Sequence, residues 1–196
     1  MTRCGYTFFA TPLGACGLAW GARGIVLVVL PEASEGAVRA RLRRRLPGAR
    51  EAPPPPEVRR ARAGILALLR GEPVDLADVV LDTGRVPPFD GRVYEVARTI
   101  PAGETRGYGE IAARLGDPAW ARAVGRALAR NPFPLVVPCH RVLAAGGRIG
   151  GFSAPGGVAI KRRLLAIESG RAGRQPKLFD VADRAPGAVV SPGRAS

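Results

Sequence analysis

The only histidine of this 196-residue chain directly follows one of its three cysteines, in the run Leu135-Val136-Val137-Pro138-Cys139-His140-Arg141-Val142. No other segment sets a nucleophile beside a base that titrates near neutral pH. A free thiol with a pKa of about 8.5 is only a few per cent thiolate at pH 7. A neighbouring imidazole can accept its proton, and it does so best when a carboxylate orients it. Pro138 fixes the backbone ahead of Cys139, and Leu135, Val136 and Val137 bury the approach. Glu168 is the candidate carboxylate. It follows a helix read from Val158 to Ile167, with Gly170 as the stop. A carboxylate in a last helical turn opposes the macrodipole by roughly 0.3–1 kcal/mol. Glu168 therefore has either a use elsewhere or an exposed place at a frayed end, and the residues alone leave both open. So does Cys139-His140: a thiolate nucleophile with its base, or a buried cysteine beside a histidine by chance.

The elements that must position this segment read as two parts. Residues 1–84 look like a small α/β unit. Tyr6 to Phe9, Cys16 to Trp20 and Ile25 to Leu30 are strands separated by turns. Residues 34–46 form a helix capped by Ser34, with Val38, Leu42 and Leu46 on one face and a solvated arginine-rich remainder. Pro53 to Pro56 make a stiff extended connector. Glu57 to Leu69 return to helix, and Val79 to Leu81 suggest a short strand. Gly84-Arg85-Val86-Pro87-Pro88 marks a boundary, and residues 85–170 are mainly helical. Phe89, Val93, Val96, Ala97 and Ile100 share one helical face. Tyr108-Gly109 precedes a short helix from Glu110 to Leu115. Asp117-Pro118 supplies the N-cap and first-position proline of the next. In that helix Trp120, Ala123, Val124, Ala127 and Leu128 make the buried stripe, and Arg122, Arg126 and Arg130 the opposite one. Short helix, tight turn and basic-faced helix have helix-turn-helix order. Residues 171–196 are rich in Gly, Pro, Ala and Arg and read as a disordered tail.

Composition narrows the function classes. Apolar residues make up 46% and charged residues 23%, the balance of a folded globular protein. No apolar run approaches the roughly eighteen residues of a membrane span, and no signal peptide is visible. Three cysteines and one histidine make no disulfide framework and match no zinc spacing. A cytoplasmic, monomeric protein without metal or cofactor is expected. The net charge of +14 points to a polyanionic partner. Of the 30 basic residues 28 are arginine, so codon bias contributes to the excess. The excess is largest in residues 85–170, where 13 basic and 6 acidic groups leave +7.

Pro138-Cys139-His140-Arg141-Val142 resembles the active-site signature of the O6-alkylguanine-DNA alkyltransferases. The likeness is wider than five residues. Arg122-Ala123-Val124-Gly125 with Asn131-Pro132 is similar to that family's recognition helix and the turn after it. Tyr108-Gly109-Glu110-Ile111-Ala112 resembles its first helix-turn-helix element. Gly150-Gly151-Phe152-Ser153, Lys161 and Leu164 to Glu168 resemble its active-site loop and last helix. The likeness covers about residues 88–170 and extends more loosely to 1–87. It implies an α+β fold: an N-terminal ribonuclease-H-like α/β domain, then a helical domain with a winged-helix-like helix-turn-helix.

The resemblance also implies a reaction. Cys139 takes an alkyl group from O6 of guanine and keeps it as a thioether, so each molecule acts once. His140 takes the thiol proton through a water, and Glu168 supports the imidazole. Tyr108 donates toward N3 of the leaving guanine, and Asn131 braces the active-site turn. The partner is double-stranded DNA carrying O6-alkylguanine, with O4-alkylthymine a further candidate lesion. The base is flipped out of the duplex, and the recognition helix lies in the minor groove. Arg122 fills the space the base leaves, while Ala121, Ala123 and Gly125 allow close approach. The base pocket uses the Cys139 and Val142 carbonyls and the Ser153 amide, with Pro134 and Phe152 as walls. Phe152 stands where the family often has tyrosine, and Ala154-Pro155 lengthen the loop before Gly156-Gly157. Some relatives bind zinc in the N-terminal domain; with no histidine there, this chain is expected to bind none.

Two other readings compete. A non-enzymatic, alkyltransferase-like damage-binding protein would share the DNA-binding helices, but such proteins replace the cysteine that is present here. A Cys–His hydrolase would use the same nucleophile and base, but directly adjacent partners are unusual for it and leave the basic helix-turn-helix unexplained.

Overall fold

The computed structural model describes residues 4–170, so the expectation of a disordered 171–196 tail lies outside the described residues. Three strands, β1 (Gly5–Thr11), β2 (Gly14–Gly21) and β3 (Gly24–Val29), form an antiparallel meander. A fourth, β4 (Arg50–Glu51), adds parallel to β1, giving the order β3-β2-β1-β4. Two residues without apolar periodicity give no strand signal. They pair because α1 (Glu35–Arg45) returns the chain to the β1 edge. Ser34 caps α1 by accepting from the Ala37 amide, as its residue type implies.

Strand alternation divides the sheet between two cores. Ala19, Leu27 and Val29 face Val38 and Leu42 of α1. Leu18, Val28 and Leu30 face the rest of the molecule. That second cluster takes in α2 (Pro56–Leu69) and continues through Val93, Val124 and Val137 to Leu164, with no break at residues 84–88. The β3 edge is covered rather than open: the Val28 amide donates to the Pro132 carbonyl at 2.8 Å, and the Ile25 amide to the Val80 carbonyl at 2.9 Å. The expected strand at 79–81 reduces to this contact and a single bridge from Ile25 to Leu81. Pro56 is the first residue of α2, where its missing amide is harmless, rather than part of the connector.

The helical part contains α3 (Pro88–Arg98), α4 (Tyr108–Leu115), α5 (Ala121–Ala129) and α6 (Gly157–Glu168). The first three pack pairwise, and α6 packs on α2. Short strands β5 (Arg106–Gly107) and β6 (Val142–Leu143) pair in parallel beside α4. Among the described residues no helix is long and apolar enough to cross a membrane.

The helix-turn-helix differs from the sequence expectation at three places. Tyr108 opens α4 rather than preceding it. Asp117 caps a single 3₁₀ turn, Pro118–Trp120, and α5 begins only at Ala121. Trp120 therefore lies before the buried stripe and is 37% exposed. Arg130 does not face solvent alone. Its Nε and Nη2 donate to the two carboxylate oxygens of Asp90 at 3.0 and 2.9 Å, and Asp90 is buried in the first turn of α3. Periodicity groups Arg130 with Arg122 and Arg126, but it cannot supply a carboxylate from forty residues away.

Candidate active site

Cys139, His140 and Arg141 form one 3₁₀ turn between a buried apolar run and β6. Asn131 holds the approach to it. Its Nδ2 donates to the Val137 carbonyl at 3.0 Å and reaches Cys139 Sγ at 3.4 Å. Its Oδ1 accepts from the Phe133 amide at 2.8 Å. Between these anchors Leu135 adopts φ +74°, a left-handed conformation that L-residues other than Asn and Asp rarely enter. The local strain is held by the Val137 amide bonding to the Phe133 carbonyl and by full burial of the Leu135 side chain.

Glu168 is not at a frayed end. Its Oε1 lies 2.8 Å from His140 Nε2, and both side chains are buried. Arg141 contributes Nη2 at 2.8 Å and Nε at 3.0 Å to the same carboxylate, while its Nη1 bonds the Ile100 carbonyl at 2.6 Å. Burial would raise the Glu168 pKa, but hydrogen bonds from His140 and Arg141 outweigh it and hold the group down to about 2. Burial pushes the His140 imidazole below its ordinary value, and Glu168 opposes that only in part. The imidazole is thus neutral, donating Nε2–H to an ionised carboxylate whose counter-charge is Arg141. Its Nδ1 is then a lone-pair acceptor. That atom is buried and meets no hydrogen-bond partner among the described residues.

Burial also pushes the Cys139 thiol up, against hydrogen bonding from Asn131 and the positive charge of Lys161. The resting nucleophile is therefore a thiol rather than a thiolate. Lys161 is fully buried, with Nζ donating to the Val142 carbonyl at 2.6 Å. Burial lowers its pKa. A carbonyl has two lone pairs, so Val142 can hold Lys161 and still accept a second donor.

Two cavities meet at Cys139. One, of about 410 Å³, is walled by Tyr108, Gly125, Leu128, Gly151, Phe152 and Ser153. The other, of about 160 Å³, lies toward β3 and is bounded by Asn131, Pro134, Phe152, Ser153 and Pro155. Tyr108 is half-buried at the first cavity, and burial followed by the nearby Cys139 raises its pKa, so its phenol stays protonated. Ala121, Arg122 and Ala123 stand on α5 outside both cavities, with Arg122 exposed. Val142 is buried and lines neither; only its carbonyl is turned to use.

The model of the 6-O-methylguanine DNA methyltransferase DNA-binding domain matches residues 88–170. A methylated-DNA–protein-cysteine methyltransferase of Methanothermobacter thermautotrophicus is 37% identical over 157 residues, 80% of this chain and 81% of that protein. The chain belongs to the methylated-DNA–protein-cysteine methyltransferase family. A Mycobacterium tuberculosis methyltransferase of this family is 50% identical over 103 residues, which span 53% of this chain and 61% of that one. The crystal structure of Mycobacterium tuberculosis OGT in complex with DNA superposes with a TM-score of 0.69 at 35% identity, over 86% of this chain and 94% of that one. The methyltransferase of Pyrococcus kodakaraensis gives 0.64 at 25% identity, over 85% and 99%.

Two residues of this methyltransferase site escape sequence reasoning as individuals. Arg141 is visible only as part of the signature, although it is the counter-charge that keeps Glu168 ionised. Lys161 carries a usable signal: it shares a helix face with Leu164 and Glu168 at i, i+3 and i+7, so a lysine stands on the buried stripe of α6.

Proposed function

We propose that this protein repairs DNA by direct reversal, moving the alkyl group of O6-alkylguanine irreversibly onto Cys139. The observation that carries the proposal is the buried Cys139-His140 turn, its imidazole pinned by Glu168 and Arg141, at the meeting point of two cavities beside a basic helix-turn-helix. The thiol proton passes to His140 Nδ1 through a water, and Glu168 stabilises the imidazolium that forms. The Sγ lone pair forms a bond to the alkyl carbon, and the carbon–O6 bond breaks with its electron pair moving into the purine. The protonated phenol of Tyr108 donates toward guanine N3. The thiol's proton then rests on His140 and the phenol's on guanine; transfer of the first through solvent to the Tyr108 phenolate restores both side chains, and the thioether remains. Among the described residues no group near Cys139 can cleave that thioether, so one molecule repairs one lesion.

The flipped base occupies the larger cavity between Tyr108 and Phe152, with Pro134 walling the smaller one. The Cys139 and Val142 carbonyls accept from the exocyclic amine and the Ser153 amide meets O6. The N-terminal end of α5 enters the minor groove with Arg122 in the gap left by the base, and Ala121, Ala123 and Gly125 admit the backbone. Gly125 supports this: a Cβ there would sit 3.8 Å from the Tyr108 ring, an ordinary contact, so packing within the protein does not demand a glycine. Residues 1–84 act as a ribonuclease-H-like platform without chemistry of their own, supported by the β3-β2-β1-β4 order with its parallel fourth strand. Residues 85–170 hold DNA and carry out the transfer, and β5–β6 beside α4 supports the winged-helix reading.

The deciding test is intact-mass spectrometry after incubation with a duplex carrying one O6-methylguanine. A gain of one methyl mass, about 14 Da, capped at one per molecule and absent in Cys139→Ala, is expected. Lesion-selective binding without mass gain would instead assign a damage-recognition role. The same assay gives a pH profile. Because burial lowers the His140 pKa, the single-turnover rate should stay level as pH falls through about 6.5, the ordinary histidine midpoint. It should decline only at lower pH, as the imidazole becomes charged. A decline centred at the ordinary midpoint would contradict a buried, neutral base.

A further inference from the structure

Trp120 is one of two large apolar side chains exposed among the described residues, the other being Val80 beside the β3 edge. It ends the Pro118–Trp120 turn, immediately before α5 and two residues from Arg122. The indole is not loose. It meets the Phe89 ring edge-on, with centroids 5.9 Å apart and planes at 81°. Phe89 is itself packed on the main core. The Phe89 ring thus backs one side of the indole while 37% of the residue faces solvent.

A single exposed apolar side chain needs no explanation by itself; what singles this one out is its place, immediately before α5 and two residues from Arg122. Here the surroundings are cationic: Arg122 and Arg126 are exposed on the same short helix, in a chain of net charge +14. The partner that fits is a polyanion with flat apolar faces. Proteins entering the minor groove commonly press apolar wedges against base steps and kink the duplex there.

We infer that Trp120, backed by Phe89, is an apolar wedge that packs against the duplex beside the extruded nucleotide, extending the α5 contact by one aromatic side chain. This rests on the reading that α5 addresses duplex DNA. Arg122 occupies the vacated stack, and Trp120 presses on the neighbouring sugar and base edge, so the kinked duplex is held from two sides. The contact is apolar and releases no counterions. It therefore adds affinity for any sequence without adding to the salt dependence, which the arginines set.

The chain has two tryptophans, and the other, Trp20, is buried in the main core, so a ligand at the α5 surface quenches Trp120 in preference to Trp20. Titrating a short undamaged duplex into the full chain should quench the emission. The quench should persist in Trp20→Phe and vanish in Trp120→Phe. Trp120→Ala should weaken duplex binding about tenfold, with the slope of log affinity against log salt unchanged, whereas Arg126→Ala should reduce that slope by about 1. Methyl transfer from free O6-methylguanine base should be the same in Trp120→Ala as in the parent. Equal duplex affinity within about twofold in Trp120→Ala, or a quench that survives in Trp120→Phe, overturns the proposal. If Trp120→Ala melts early, the parent's quench and Trp120→Phe, which keeps a ring on Phe89, decide the question. A parent protein that transfers methyl from the free base yet binds no duplex refutes the α5 reading along with the wedge. One that binds duplex but never gains mass leaves the wedge standing and removes the transfer chemistry.

Discussion

Glu168→Ala should destabilise the fold by about 3–5 kcal/mol, the usual effect of removing one partner of a buried ion pair, and slow methyl transfer by at least about a hundredfold. The side chain does two jobs with one carboxylate. It fixes the imidazole through His140 Nε2, and it neutralises Arg141, which is buried with the Ile100 carbonyl as its one other partner among the described residues. Alanine leaves a guanidinium uncompensated in the core and frees His140 to rotate or exchange tautomers. Glu168→Gln separates the two effects. The amide keeps the volume and one acceptor oxygen, so stability should be intermediate, while the developing imidazolium loses its counter-charge. The pH dependence follows from the depressed pKa. Glu168 titrates near its ordinary value of 4.5 when unfolded and at about 2 when folded. Its contribution is therefore complete above the unfolded value and is lost as pH falls from there toward the folded one. Urea midpoints of the parent should drop over that window more steeply than those of Glu168→Gln. A Glu168→Ala protein that melts and transfers like the parent would remove Glu168 from the site.

The sequence is most legible where chemistry is local. Cys139 and His140 are adjacent, so their meeting needs no tertiary information, and Ser34 and Asp117 are caps that act within three residues. Glu168 is readable as a misplaced charge at a helix end, but its partner is not, since twenty-eight residues separate it from His140. What fails is the assignment of faces near helix ends. Trp120 fits the buried stripe of an ideal helix, yet the 3₁₀ turn at Pro118–Trp120 has a different period, and the indole comes out at the surface. Arg130, by contrast, is exposed as its stripe predicts, and what the arithmetic misses is its partner: it stands at the end of α5, where Asp90 of α3 can reach it. Parallel β4 depends on where α1 returns the chain, and no two-residue window encodes that.

Asn131→Asp should damage the site more than Asn131→Ala, although aspartate is nearly isosteric with asparagine. The native amide works in both directions: Oδ1 accepts from the Phe133 amide, while Nδ2 donates to the Val137 carbonyl and toward Cys139 Sγ. Aspartate keeps the first bond and inverts the other two. It sets a carboxylate oxygen against the Val137 carbonyl, and it places a negative charge beside the atom that must become a thiolate. Burial already pushes the Cys139 thiol up, and the Asn131 hydrogen bond is the largest influence working the other way. Replacing that donor by an anion raises the thiol further, and a thiol pKa higher by one leaves about tenfold less thiolate at a given pH. Alanine forfeits all three bonds, leaves the Val137 carbonyl with the Cys139 amide as its remaining donor at a cost of about 0.5–1.5 kcal/mol for the lost bond, and relaxes the turn that carries Leu135 at φ +74°, but it adds no charge. The expected order of single-turnover rates is parent, then Asn131→Ala, then Asn131→Asp, with the two variants at least about tenfold apart. The rate of Cys139 modification by a neutral thiol reagent should follow the same order. If Asn131→Asp equals or exceeds Asn131→Ala in both measurements, Asn131 acts by filling space, and the thiol is controlled from Lys161 and His140 instead.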